Sequence, residues 1–147
     1  MKRLLLLVIL FSGCSLLSPL QRSKFITLSN LIDTKKFAEA KDVVEAMIDD
    51  EQSVKWPRTW YYKGYLCQEA YHEGAKKNDK ALMELYPEQL FVAYYSYHKA
   101  LFLDKSGKVE KQIAPKYVLL ANELQKMGEA HFKGKRYAEA FKSFEHA

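Results

Sequence analysis

The sequence predicts an all-α chain of antiparallel helix pairs, arranged as about three irregular repeats with insertions between them. Three observations predict it. Of 147 residues only 6 are Gly and 4 are Pro, which favours helix over turn-rich sheet. In residues 124–147, Leu124, Met127, Gly128 and His131 share one helical stripe and Ala140, Phe144 and Ala147 another, with Gly134 and Lys135 as the turn between them. Finally, the string Lys35-Lys36-Phe37-Ala38-Glu39-Ala40 returns nearly unchanged as Lys135-Arg136-Tyr137-Ala138-Glu139-Ala140, and both copies open the second helix of a pair.

In chain order, residues 1–13 read as a signal peptide outside the fold. Lys2 and Arg3 form a basic start, residues 4–11 an apolar run, and Ser12-Gly13-Cys14 a small-residue cleavage site. The run is far short of the roughly 20 residues that span a bilayer. Phe11-Ser12-Gly13-Cys14 resembles the bacterial lipobox, with Phe11 where Leu is usual. The resemblance implies cleavage before Cys14 and acylation of its sulfur and amine. Several acyl chains at about 0.8 kcal/mol per buried CH₂ make a permanent anchor. Ser15 stands where enterobacterial lipoproteins retained in the inner membrane carry Asp, which implies the periplasmic side of the outer membrane. Residues 14–21 are then the lipidated Cys and a tether of at most about 25 Å, and residues 22–147 the helical domain. Cys67 is left without a partner for an internal disulfide.

Beyond the tether, Phe25, Leu28, Leu31 and Ile32 make an apolar stripe ending at Asp33, and Phe37, Ala40, Val44, Met47 and Ile48 make a second one after a turn at Thr34. Pro57 suits the first turn of the next helix, whose packing stripe is Trp60, Gly64, Cys67 and Tyr71. Its partner stripe, Ala93, Tyr97 and Ala100, follows an insertion near residues 78–92. There Asn78-Asp79 marks a break and helix start, and Pro87 a second start. A further insertion over residues 105–114 precedes Pro115, which is expected to open the first helix of the last unit.

Written as Leu124-x2-Met127-Gly128-x2-His131-x8-Ala140-x3-Phe144-x2-Ala147, the last unit resembles the tetratricopeptide repeat. Gly128, Ala140, Phe144 and Ala147 match that pattern, while Leu124, Met127 and His131 replace its Trp, Leu and Tyr. The resemblance implies a right-handed solenoid whose first helices line a concave groove. Groove residues would be Arg58, Tyr61, Tyr65, Gln68 and Glu69 in the middle unit, Asn122, Gln125, Glu129, Phe132 and Lys133 in the last, and Phe25, Ser29 and Ile32 in the first. The family's clamp for a C-terminal carboxylate uses Lys and Asn where this chain has Tyr61, Tyr65, Gln125 and Glu129, so that mode is not expected. Such arrays close with a polar-faced capping helix. Ala147 lies on a second helix, so continuation of the domain is expected, with Phe141 and Phe144 partly uncovered as the sequence stands.

No Gly-rich phosphate loop precedes a helix. Glu69-x2-His72 has the spacing of a di-iron ligand pair, but no second copy exists, so neither metal nor cofactor is expected. Cys67 and His131 occupy a position that normally holds a packing Tyr, and read as buried residues rather than nucleophile and base. Of the 23 basic residues, removing Lys2 and Arg3 leaves 21 against 18 acidic ones. This mild excess, spread over helix faces, implies no nucleic-acid partner. The expected function is therefore binding rather than catalysis: a lipid-anchored adaptor contacting protein partners in a cell-envelope assembly or secretion complex. The alternatives are a glycan- or ligand-binding lipoprotein on the same scaffold, and an accessory domain of an envelope enzyme whose catalytic part lies beyond residue 147.

The anchor gives the first prediction. Cys14→Ser abolishes acylation and leaves unprocessed precursor, as metabolic labelling with a fatty-acid analogue would reveal. Equal labelling of mutant and wild type contradicts the lipoprotein reading.

Overall fold

The computed structural model describes residues 19–147, so the expected signal peptide, Cys14 and most of the tether lie outside the described residues. The helices are α1 (Pro19–Asp33), α2 (Phe37–Asp49), α3 (Pro57–Lys77), α4 (Lys80–Met83), α5 (Gln89–Leu103), α6 (Glu110–Lys133) and α7 (Tyr137–Glu145). One 3-10 turn covers Ser53–Lys55, and there is no strand among the described residues. The protein is all-α. Helix α1 already begins inside the segment 14–21 expected as a tether.

The repeated string folds the same way twice. After α1 the amides of Thr34, Lys35 and Lys36 donate to the carbonyls of Asn30, Ile32 and Leu31. After α6 the amides of Gly134, Lys135 and Arg136 donate to those of Ala130, Phe132 and His131, the same register one hundred residues on. The residue that takes the left-handed conformation is the lysine, Lys35 at φ 61° and Lys135 at φ 58°. Of the expected turn residues Gly134 and Lys135, Gly134 has an ordinary φ of −79°.

The helices then pair antiparallel. In α3 and α5, Lys99 lies over Trp60 while Gln89 bonds the Cys67 carbonyl, so late residues of one meet early residues of the other. Ala93, Tyr97 and Ala100 are buried there, across the segment expected as an insertion. Gly64 makes the close approach: a Cβ on it would sit 2.6 Å from the Tyr97 ring. In the last pair a Cβ on Gly128 would sit 2.6 Å from the ring of Phe144.

Across the pairs, α1, α3 and α6 run side by side in one direction. Phe25 stacks on Tyr62 at 5.6 Å and Asp33 lies beside Tyr65; Lys116 reaches Glu69 and Glu123 reaches His72. Glu73 is buried between Lys35 of the first turn and Lys77, whose hydrogen bonds hold its carboxyl well below the usual range, to about 2. The insertion is stapled inward by Gln89. Its Nε2 donates to the carbonyls of Cys67 (2.8 Å) and Leu82 (2.9 Å), and its Oε1 accepts from the Tyr86 amide (3.0 Å). Asp79 caps α4 by accepting from the amides of Ala81 and Leu82.

Two expected starts move. Helix α5 begins at Gln89, with Glu88 at φ 52° ahead of it, rather than at Pro87. Pro115 lies inside α6, which begins at Glu110 because the Asp104 carboxylate accepts from the amides of Val109 (2.6 Å) and Glu110 (3.3 Å). Residues 110–114, expected as insertion, are therefore helical, and buried Val109 and Ile113 pin them to the core.

Stability should rank the three glycines. Gly64→Ala is expected to cost about 1–3 kcal/mol through overpacking, because the Tyr97 ring that must move is fully buried and bonded. Gly128→Ala costs less, since Phe144 is 44% exposed and can swing outward. Gly134→Ala costs least, its backbone being ordinary and Thr34 filling the matching turn. Urea melts check the order, and a Gly134 variant that is the least stable of the three contradicts it.

Candidate functional site

The surface nearest to the expected groove is one face of α3 with its neighbours α1 and α6. Pro57 starts this helix at its first position, where the missing amide is harmless, and the 3-10 turn braces it. The Thr59 hydroxyl and the Trp60 indole reach back to the carbonyls of Ser53 (2.8 Å) and Val54 (2.7 Å). Trp60 is thus half-buried at the rim of the α3–α5 pair rather than inside it.

Arg58, Tyr61, Tyr65 and Glu69 follow one another along this face, each half-buried. Tyr61 and Tyr65 stack at 5.9 Å with only 13° between their planes, and Tyr61 meets Tyr62 edge-on at 5.1 Å. The Lys116 ammonium sits 3.9 Å from the Tyr65 ring centre and 3.1 Å from the Glu69 carboxylate, closing the row from the α6 side. Burial, followed by the field of Tyr62, pushes the Tyr61 hydroxyl up to about 12. Tyr65 is raised as well, by burial and then by the charges of Glu69 and Asp33. Both are therefore neutral hydroxyls at physiological pH, fit for contact and hydrogen bonding rather than for proton transfer.

Gln68, expected on the groove, is buried instead. Its Nε2 donates to the Lys116 carbonyl (3.1 Å) and to Glu123 Oε2 (3.3 Å), and its Oε1 accepts from the Tyr97 hydroxyl (2.9 Å). One amide thereby joins α3, α5 and α6. Burial raises the Glu123 carboxyl, against the pull of Gln68 and His72. Phe25 and Ile32, also expected on the groove, are core residues, because α1 turns that stripe onto α3, while Ser29 is half-buried.

The remaining expected residues form a second surface. Gln125 and Glu129 are exposed, bonded to each other at 3.3 Å, and line a shallow cleft of about 480 Å³ with His72, Leu119 and Asn122. Phe132 is 59% exposed and meets Tyr137 edge-on at 5.5 Å. Phe141, on α7, is 69% exposed. The fold therefore separates a tyrosine row on α3 from a polar cleft and an aromatic end on α6 and α7. Cys14 lies outside the described residues. Cys67 is fully buried, and burial pushes its thiol up to about 12, so it is not a thiolate at neutral pH. Glu69 and His72 face different partners, Lys116 and Glu123.

No sequence pattern marks Lys116 or Gln89 as functional: Lys116 directly follows Pro115, and Gln89 lies in the segment 78–92 that reads as an insertion. No helix among the described residues is long and apolar enough to cross a membrane. No protein-family model matches the chain, and neither a curated protein nor a solved structure is detectably similar to it.

A buried Gln should behave as core. Gln68→Ala leaves the Tyr97 hydroxyl and the Lys116 carbonyl without this partner, so it is expected to destabilise by about 1–3 kcal/mol. An unchanged urea midpoint returns Gln68 to the surface and contradicts its role as a junction.

Proposed function

We propose that this chain is a lipid-anchored, periplasm-facing adaptor on a tetratricopeptide-like right-handed solenoid, binding protein partners in a cell-envelope assembly or secretion complex. The half-open Tyr61–Tyr65 row, braced by Lys116 at the centre of three parallel helices, carries this reading. Tyrosines so held lose little freedom on contact, and present ring area and a hydroxyl to a partner. The solenoid is supported by the duplicated turn, by the pairs α1–α2, α3–α5 and α6–α7, and by the glycine at the close approach in the last two. Anchoring rests on the lipobox-like Phe11-Ser12-Gly13-Cys14, with the periplasmic side of the outer membrane favoured by Ser15. The reading requires no cofactor, catalytic residue or nucleic acid.

Affinity capture from envelope extract tests it. Tyr61→Ala with Tyr65→Ala is expected to weaken capture by more than about 2 kcal/mol, the scale of an interface anchor. A circular-dichroism melt of the same variant should keep a cooperative transition, because both rings are only half-buried. Undiminished capture, or loss of the transition, removes the tyrosine row as a contact surface.

A further inference from the structure

At the early end of the tyrosine row, α1 and α3 enclose a cleft of about 310 Å³ whose lining holds two cations, Arg22 and Arg58. Arg22, Ile26, Ser29 and Asn30 line it from α1, one helical face, and Arg58 lines it from α3. No carboxylate lines it, and among the described residues neither Arg22 nor Arg58 is in an ion pair. Arg58 is held in place by aromatic rings: its guanidinium carbon lies 5.0 Å from the centre of Phe25 and 5.9 Å from that of Tyr62. Its Nε is buried with no hydrogen-bond partner among the described residues. A buried N–H that has given up water without gaining a partner costs free energy. A guanidinium already fixed by ring contacts is a preorganised fork for a planar oxyanion.

We propose that this cleft is a subsite for an acidic side chain of a bound peptide segment, gripped by Arg58 with Arg22 as the second cation. The inference rests on the adaptor reading and adds which chemistry of partner the surface takes. A peptide fits better than an anionic membrane because the surface is bipolar. Beside Tyr65 lies the exposed carboxylate of Asp33, which a sheet of anionic headgroups would meet unfavourably and a chain of mixed charge would not. Ile26, exposed at the cleft, leaves apolar room for the methylenes of a Glu stem.

The Arg58 Nε–H resonance of the ¹⁵N-labelled full chain reads the site directly. C-terminally amidated hexaglutamate, which lacks a terminal carboxylate, should shift it saturably. By calorimetry, Arg58→Gln should weaken hexaglutamate binding about tenfold and Arg22→Gln about threefold, as loss of charge-assisted bonds implies. Arg136→Gln, a cation at the far turn, should leave it unchanged. Arg22 is exposed, so its variant remains informative even where Arg58→Gln perturbs folding. A resonance that does not move, or an Arg136 variant as weak as the Arg22 variant, overturns the subsite. A resonance moved by phosphatidylglycerol vesicles and not by hexaglutamate overturns it in favour of a membrane contact. Failure here alongside tyrosine-dependent capture removes the subsite and leaves the adaptor; loss of that capture with hexaglutamate still binding does the reverse.

Discussion

The close approach of α3 and α5 at Gly64 is the constraint on which the rest of the structure depends. The Tyr97 ring covers the glycine, is fully buried, and passes its hydroxyl to Gln68. Gln68 in turn holds the backbone of α6 at Lys116. A larger residue at 64 would push Tyr97 away, and the Gln68 amide would lose its acceptor role in the core. The same contact sets the surface. With α5 and α6 fixed on two sides of α3, the stripe Arg58, Tyr61, Tyr65 and Glu69 is left half-covered, and Lys116 arrives over Tyr65.

Much of the fold was legible because it is carried by spacing. The apolar stripes of α2, the glycines at 64 and 128, and the alanines at 93, 100 and 140 fall where helix contacts put them. The duplicated hexapeptide foretold two equal turns. Helix starts were less legible, because proline marks a permitted first turn without requiring one. Asp104, six residues before Glu110, nucleates α6 through a loop that no helical period reveals. At the turn Gly134-Lys135, it is Lys135 that takes the left-handed conformation, and only the matching Lys35 hints at this.

The surface was legible in part. A stripe drawn one residue away from the packing stripe holds Tyr61 and Tyr65, which are half-buried, but cannot tell that Gln68 faces α6. A glutamine is equally at home in water and in a satisfied core, so its place depends on whether Tyr97 and a carbonyl converge on it. Phe25 and Ile32 belong to the apolar stripe of α1, and that stripe is core, with Phe25 stacked on Tyr62, rather than open to a groove.

Native-state hydrogen exchange tests the centrality of the α3–α5 contact most directly. The amides around Gly64 to Cys67 and those around Ala93 to Tyr97 should be the slowest, exchanging only with global unfolding, while α7, with Phe141 and Phe144 uncovered, opens first. Amides of α7 as slow as those of α3, or an α3 that exchanges before α1 and α6, would contradict it.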